Sequence, residues 1–126
     1  MAAPNIVNVS TITGITTWKA GIALDNAAVT VIATNAASSG KVLKINSLVA
    51  TCIGSTTGVT TKIFEKAAGV GNSVSLGSTM SVPSYSSLAV ISKEMSIYLQ
   101  EDQSIGVFKQ QNTGDIDVVC SYEDIS

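Results

Sequence analysis

The stretch that decides the fold runs from Leu88 to Phe108, LAVISKEMSIYLQEDQSIGVF. Two apolar runs, Leu88 to Ser92 and Ser96 to Leu99, flank the charged pair Lys93 and Glu94. A third, Ser104 to Phe108, follows the polar corner Gln100-Glu101-Asp102-Gln103. Each run is too short for a helix and rich in β-branched or aromatic residues, so each reads as a strand. Acidic side chains at the corner suit a solvated turn. The spacing predicts a β-meander closing one wall of a sandwich.

Working outward, Lys41 to Ile53 (KVLKINSLVATCI) is the longest strand candidate. Its apolar side changes near Ser47, which implies a bulge or a strand passing from one sheet to the other. Upstream, Ile6 to Ile12 alternates until Gly14, and Ile15 to Leu24 reads as one strand or two bent at Gly21. Ala28 to Thr34 is a further strand. Downstream of Ile53, Val59 to Lys66 alternates. Ala67 to Ser78 reads as a glycine-rich loop with a brief extended piece at Val74 to Leu76, and Thr79 to Val82 as a short strand stopped by Pro83. Asn112 and Gly114 mark a turn that needs positive φ. The last strand is placed at Ile116 to Tyr122, with Glu123-Asp124 ending it. Eight or nine short strands with turns between them predict an all-β fold, an antiparallel jelly-roll-like sandwich. The 126 residues are read as a single domain with a short N-terminal arm over about residues 1 to 7.

Composition narrows the function. Charged residues are 13% of the chain, against about 25% in average soluble proteins. Net charge is −2 and mean hydropathy is +0.38. No apolar run reaches the ~20 residues of a membrane helix, so no membrane partner is expected. The start, MAAPNIVNVS, lacks the basic residue and apolar run of a secretory signal. A neutral surface offers little repulsion between molecules, which favours a protein covered by neighbours in an assembly. The basic residues are seven lysines with no arginine, a poor footprint for nucleic acid. Cys52 and Cys120 lie in apolar strands and read as buried free thiols rather than a disulfide.

Chemistry is sparsely equipped. Histidine is absent, so Ser-His-Asp and Cys-His arrangements cannot be built. Glu101 with Asp102, and Asp115 with Asp117, are the carboxylate pairs that could serve hydrolysis or hold calcium. They read more simply as turn carboxylates that discourage edge pairing. No catalytic, cofactor-binding or metal-binding residue is assigned, and no cofactor is expected. Trp18, the single tryptophan, reads as a core plug, with an exposed anchor for a partner or sugar as the alternative. Tyr85, Tyr98 and Tyr122 are the other candidates for a sugar platform. Candidate interface residues are Ala2, Ala3, Pro4, Asn5, Ile6 and Val7, through strand addition, together with Trp18.

Four stretches carry a resemblance: the start MAAPNIVNV, KVLKINSLV at Lys41 to Val49, SVPSYSSLAVISKEMSIYLQEDQSI at Ser81 to Ile105, and the ending GDIDVVCSYEDIS. They resemble small virion structural proteins of tailed bacteriophages, particularly the T4-like phages of marine cyanobacteria. Where that family often carries Glu-Gly-Asp after the IYL segment, this chain has Glu101-Asp102-Gln103, so the turn glycine is missing. The resemblance implies a non-enzymatic particle component assembled in a host cytoplasm: a capsid decoration protein, or a neck, tail or fibre-associated module. It also implies a major capsid protein or other virion proteins as partners, and a homo-oligomer, with a trimer among the options.

Overall fold

A computed structural model describes residues 11–22, 29–110 and 114–126. Nine strands are described: β1 Ile12–Lys19, β2 Thr30–Asn35, β3 Val42–Ile53, β4 Thr57–Phe64, β5 Ser73–Val82, β6 Ser87–Ile91, β7 Ile97–Leu99, β8 Gln103–Lys109 and β9 Asp115–Ile125. A short 3-10 turn, Lys93–Met95, separates β6 from β7. One sheet, sheet A, has the order β1-β9-β3-β6, with β7 also on β3; the other, sheet B, has the order β2-β8-β4-β5. All ladders are antiparallel.

The order is that of one long hairpin rolled on itself. The tip lies between β4 and β5, and pairing proceeds outward through β3 with β6 and β7, β2 with β8, and β1 with β9. Rolling then brings β9 onto β3 and β8 onto β4. This is a jelly roll, and it confirms the sandwich expected from the strand count. It corrects the meander. β6 and β7 do not pair with each other but lie end to end along β3, and β8 belongs to the opposite sheet. The corner Gln100–Asp102 carries the chain between sheets, which local alternation cannot reveal.

Sequence boundaries shift in three further places. β5 begins at Ser73, so the predicted Ala67 to Ser78 loop is shorter than its glycine content suggested. Pairing with β4 joins the extended piece expected at Val74 to Leu76 and the strand expected at Thr79 to Val82 into one. Gly14 does not end a strand, because it sits inside β1 opposite Glu123. Glu123 and Asp124 lie within β9; Asp124 is kept there by Lys41, 3.1 Å away.

The change of face in β3 is a bulge. Leu43 and Ile45 are buried, then Leu48, Ala50 and Cys52. The ladder to β9 slips between Ile45 and Ser47, so Asn46 is the extra residue. One inserted residue reverses the alternation and keeps both halves of the strand facing the core. The inner faces of both sheets supply that core, including Ile45, Leu48, Val59, Ile105, Ile116 and Val118.

Cys52 and Cys120 are both buried and free. Cys120 lies opposite Leu48. Cys52 is therefore four residues farther along the neighbouring strand, roughly 13 Å away, beyond disulfide reach. Burial pushes the Cys120 thiol up to about 12, so it stays protonated and unreactive at neutral pH.

Deleting Asn46 would force one half of β3 to point its apolar side chains at solvent. The expected outcome is loss of the cooperative thermal transition followed by circular dichroism. Asn46→Ser, which keeps the bulge, should retain it.

Candidate docking face

The two sheets treat their outer faces differently. On sheet B the chain covers itself. Val29 and Phe64 fill the space above Gly106 so fully that a Cβ there would collide with both. Ser104 Oγ donates to Lys66 O at 2.8 Å, which holds the β4–β5 tip against the sheet. Lys62 Nζ lies 5.6 Å from the centre of the Phe108 ring, a cation–π contact. As a result the outward residues Ser104, Gly106 and Phe108 are buried, as are the core-facing Ile105 and Val107.

Sheet A has no comparable cover among the described residues. Register defines its outer rows. Trp18 lies opposite Val119, Val119 opposite Val49, and Val49 opposite Ala89. This row crosses four strands without a charge or a hydrogen-bonding side chain other than the indole. Trp18 is 70% exposed and Val119 45%. The adjoining row, Thr16–Ser121–Ser47, carries only hydroxyls. On the other side, Asp117–Thr51–Ser87 adds one carboxylate, and Thr51 Oγ1 and Ser87 Oγ are hydrogen-bonded at 2.9 Å. Beyond that polar row Ile53 is exposed beside Asp115. Farther along, Glu123 and Lys44 lie opposite one another, with Tyr98 next to Lys44.

Trp18 is therefore not a core plug. Strand alternation puts it on the outer face with Val119, while its neighbour Thr17 faces inward and donates to Ile32 O at 2.9 Å. The candidate interface residues Ala2 to Val7 lie outside the described residues. The four candidate aromatics do not converge. Tyr98 is on the same face as Trp18 but at its far side, Tyr122 is partly buried against the core, and Tyr85 stands on the turn before β6.

Tyr85 is 77% exposed and has a φ of 54°, a left-handed conformation that costs a bulky side chain roughly 1–2 kcal/mol. The turn is fixed at several points. Ser86 N donates to Pro83 O at 3.1 Å, Ser84 N donates to Thr56 Oγ1 at 3.0 Å, and Cys52 N donates to Ser86 O at 2.9 Å. Ser84 Oγ also donates to Gly54 O.

The acidic corners are structural. Asp102 adopts a φ of 64° and so fills the left-handed turn position without a glycine, which aspartate tolerates. Its N–H donates to Asn35 O at 2.9 Å, and its Oδ1 accepts from Ala67 N at 3.0 Å. Lys66 Nζ is 3.4 Å from Oδ2. Glu101 Oε2 accepts from Gly40 N at 3.1 Å. Two connections at one end of the sandwich, β2–β3 and β4–β5, are thus tied to one corner. Asp117 Oδ1 accepts from Gly21 N at 3.3 Å, and Asp115 lies 3.9 Å from Lys109. Among the described residues no three histidine, cysteine or carboxylate side chains gather as a metal-binding group. No helix among them is long and apolar enough to cross a membrane.

The row Trp18–Val119–Val49–Ala89 was missed in the sequence except for Trp18. The alternation of β9 does place Val119 opposite its core side. Its neighbours on the row come from strands whose partners no local signal gives.

No protein-family model and no curated protein matches the chain. A chain in the structure of infectious bursal disease virus, Gx strain, superposes with a TM-score of 0.53 at 6% identity, over 93% of this chain and 33% of that one. A chain in the structure of the Gt strain gives a TM-score of 0.40 at 10% identity with the same coverages. This chain spans about a third of the length of either. The likeness to the Gx chain is one of fold.

Two outcomes are expected. The Ala67 amide, and after it Lys66, holds the Asp102 carboxyl below the ordinary aspartate value. A lowered folded-state pKa gives stability that is present above the unfolded value and lost as pH falls through the folded one. Melting temperature should therefore fall more steeply below about pH 4 in the unmodified chain than in Asp102→Asn, which starts lower at neutral pH. Tyr85→Gly should leave stability equal or raise it by up to about 1 kcal/mol in urea unfolding.

Proposed function

We propose that this chain is a non-enzymatic structural component of a tailed-phage virion, a capsid decoration protein that docks on the assembled capsid lattice through the outer face of sheet A. The single observation that carries this reading is the bare, uncharged row headed by Trp18 on a sheet whose counterpart covers itself. An exposed tryptophan in a flat apolar strip is the kind of anchor that dominates protein interfaces. The jelly roll is a fold used in virus capsids, and the bursal disease virus chain shares it. The sequence resemblance to phage virion proteins points the same way. The absence of histidine, and the use of Glu101, Asp102 and Asp117 as turn ligands, support a role without catalysis. A neck, tail or fibre position would use the same face on a different neighbour.

A carbohydrate- or receptor-binding role is the second reading, favoured by the exposure of Trp18 and Tyr85. Their separation on a sheet face and a turn, rather than around one pocket, favours a broad protein contact instead.

Co-sedimentation with particles assembled without the chain tests the proposal. Trp18→Ala should lower affinity at least tenfold, about 1.4 kcal/mol. Its unfolding free energy should stay within about 0.5 kcal/mol, because the side chain is exposed. Binding equal to the unmodified chain, or hits on a glycan array lost in Trp18→Ala, would turn the assignment to the second reading.

A further inference from the structure

β1 closes sheet A on one side, and among the described residues it pairs with β9 alone. One hydrogen-bonded pair reveals which of its main-chain groups face the open edge. Thr11 N donates to Ser126 O at 3.1 Å, and Ser126 N donates to Thr11 O at 2.9 Å. In an antiparallel ladder this mutual exchange recurs at every second residue. The register from Ile12 opposite Ile125 to Lys19 opposite Val118 contains no shift. Thr13, Ile15, Thr17 and Lys19 therefore turn their N–H and C=O groups toward β9. Ile12, Gly14, Thr16 and Trp18 turn theirs to the edge, and their side chains share the outer face.

Natural edge strands are blunted by charge, proline or a bulge. Between Ile12 and Trp18, β1 has none of these. Its two large exposed apolar side chains, Ile12 at 55% and Trp18 at 70%, stand at opposite ends.

We propose that this edge receives a second copy of the chain, antiparallel, about a two-fold axis at Ile15. In that register Ile12 lies opposite the partner's Trp18, and Gly14 opposite the partner's Thr16. These are the residues with outward main-chain groups, so each pair exchanges two hydrogen bonds. Each tryptophan gains a β-branched partner beside it on the outer face, a favourable cross-strand pair. Thr16 meets a glycine and is not crowded. Ile15 meets its own copy on the inner face as a non-hydrogen-bonded pair, with Cα atoms about 4.5 Å apart. Lys19 lies at the far end from its copy, so no like charges oppose. Moving the axis to Gly14 takes the partner's Ile12 from Trp18, and moving it to Thr16 does the same by sliding Ile12 past the strand. The self-complementary pattern is what commits the edge to a second copy. The outer faces of the two copies then form one continuous surface, with both tryptophans near its centre.

Light scattering on the full chain should give twice the monomer mass of 12.9 kDa. Thr16→Pro removes an outward N–H without touching the β9 ladder, so it should halve that mass. Under mild oxidation Ile15→Cys should cross-link to a dimer on a non-reducing gel. Thr13→Cys and Thr17→Cys should cross-link when mixed and not alone. The buried native thiols should not contribute. A monomeric or trimeric unmodified chain overturns the proposal, as does a folded Thr16→Pro dimer. If Thr16→Pro does not fold, the cysteine series decides: absence of the Ile15→Cys cross-link overturns the proposal. A monomer that still binds particles removes the dimer and leaves the docking face standing.

Discussion

The ladder between β3 and β9 is the contact on which the architecture depends. It runs from Val42 opposite Ile125 to Ile53 opposite Asp115 and joins strands far apart in sequence. Both strands are central in sheet A. With this ladder formed, β1 has a neighbour on one flank and β6 and β7 on the other. The inner side chains of Leu48, Ile116 and Val118 then meet sheet B. The bulge at Asn46 is the condition for the ladder, since without it half of β3 would present the wrong face.

The ends of the sandwich are tied by different chemistry. At one end the ties converge on the Glu101–Asp102 corner and on Asn35, whose Nδ2 donates to Lys41 O and Leu99 O. At the other they are mainly neutral: Cys52 Sγ donates to Ser55 O at 3.0 Å, Ser84 binds Thr56 and Gly54, and Lys109 Nζ donates to Gly114 O at 3.1 Å. These ties engage Glu101 and Asp102 at one end and Cys52 at the other. The proposed docking surface lies instead on a flat sheet face. Sheet B is covered by Val29, Phe64 and the β4–β5 tip, whereas sheet A presents Trp18, Val119 and Val49 outward.

Local patterns were legible where one residue decides the local geometry. The switch of apolar side near Ser47 announced the bulge, and the last strand was placed at Ile116 to Tyr122, within β9. The paired thiols were read correctly as buried and unlinked. What failed was information held in pairing. Nothing within Leu88 to Phe108 says that its third strand joins another sheet. The extended piece at Val74 to Leu76 was legible, but nothing in that glycine-rich stretch says that it runs on to Val82 as one strand along β4. Trp18 shows the same limit: its size argued for the interior, and only the register of β1 against β9 puts it outside. Residues Ala2 to Val7 fall outside the described segments, so the arm's contribution stays with the sequence reading.

The rolled-hairpin topology has a kinetic consequence. Only β4 and β5 are joined to each other by a short connection among the major ladders; every other pairing must wait for a larger loop to close. Loop closure is entropically costly before distant contacts form, so such a chain belongs to the slow-folding class. Zipping from the inner hairpin outward would bring β1 into place last. During that interval a concentrated chain keeps several uncharged edges open to the wrong neighbour, so yield on refolding should depend on dilution.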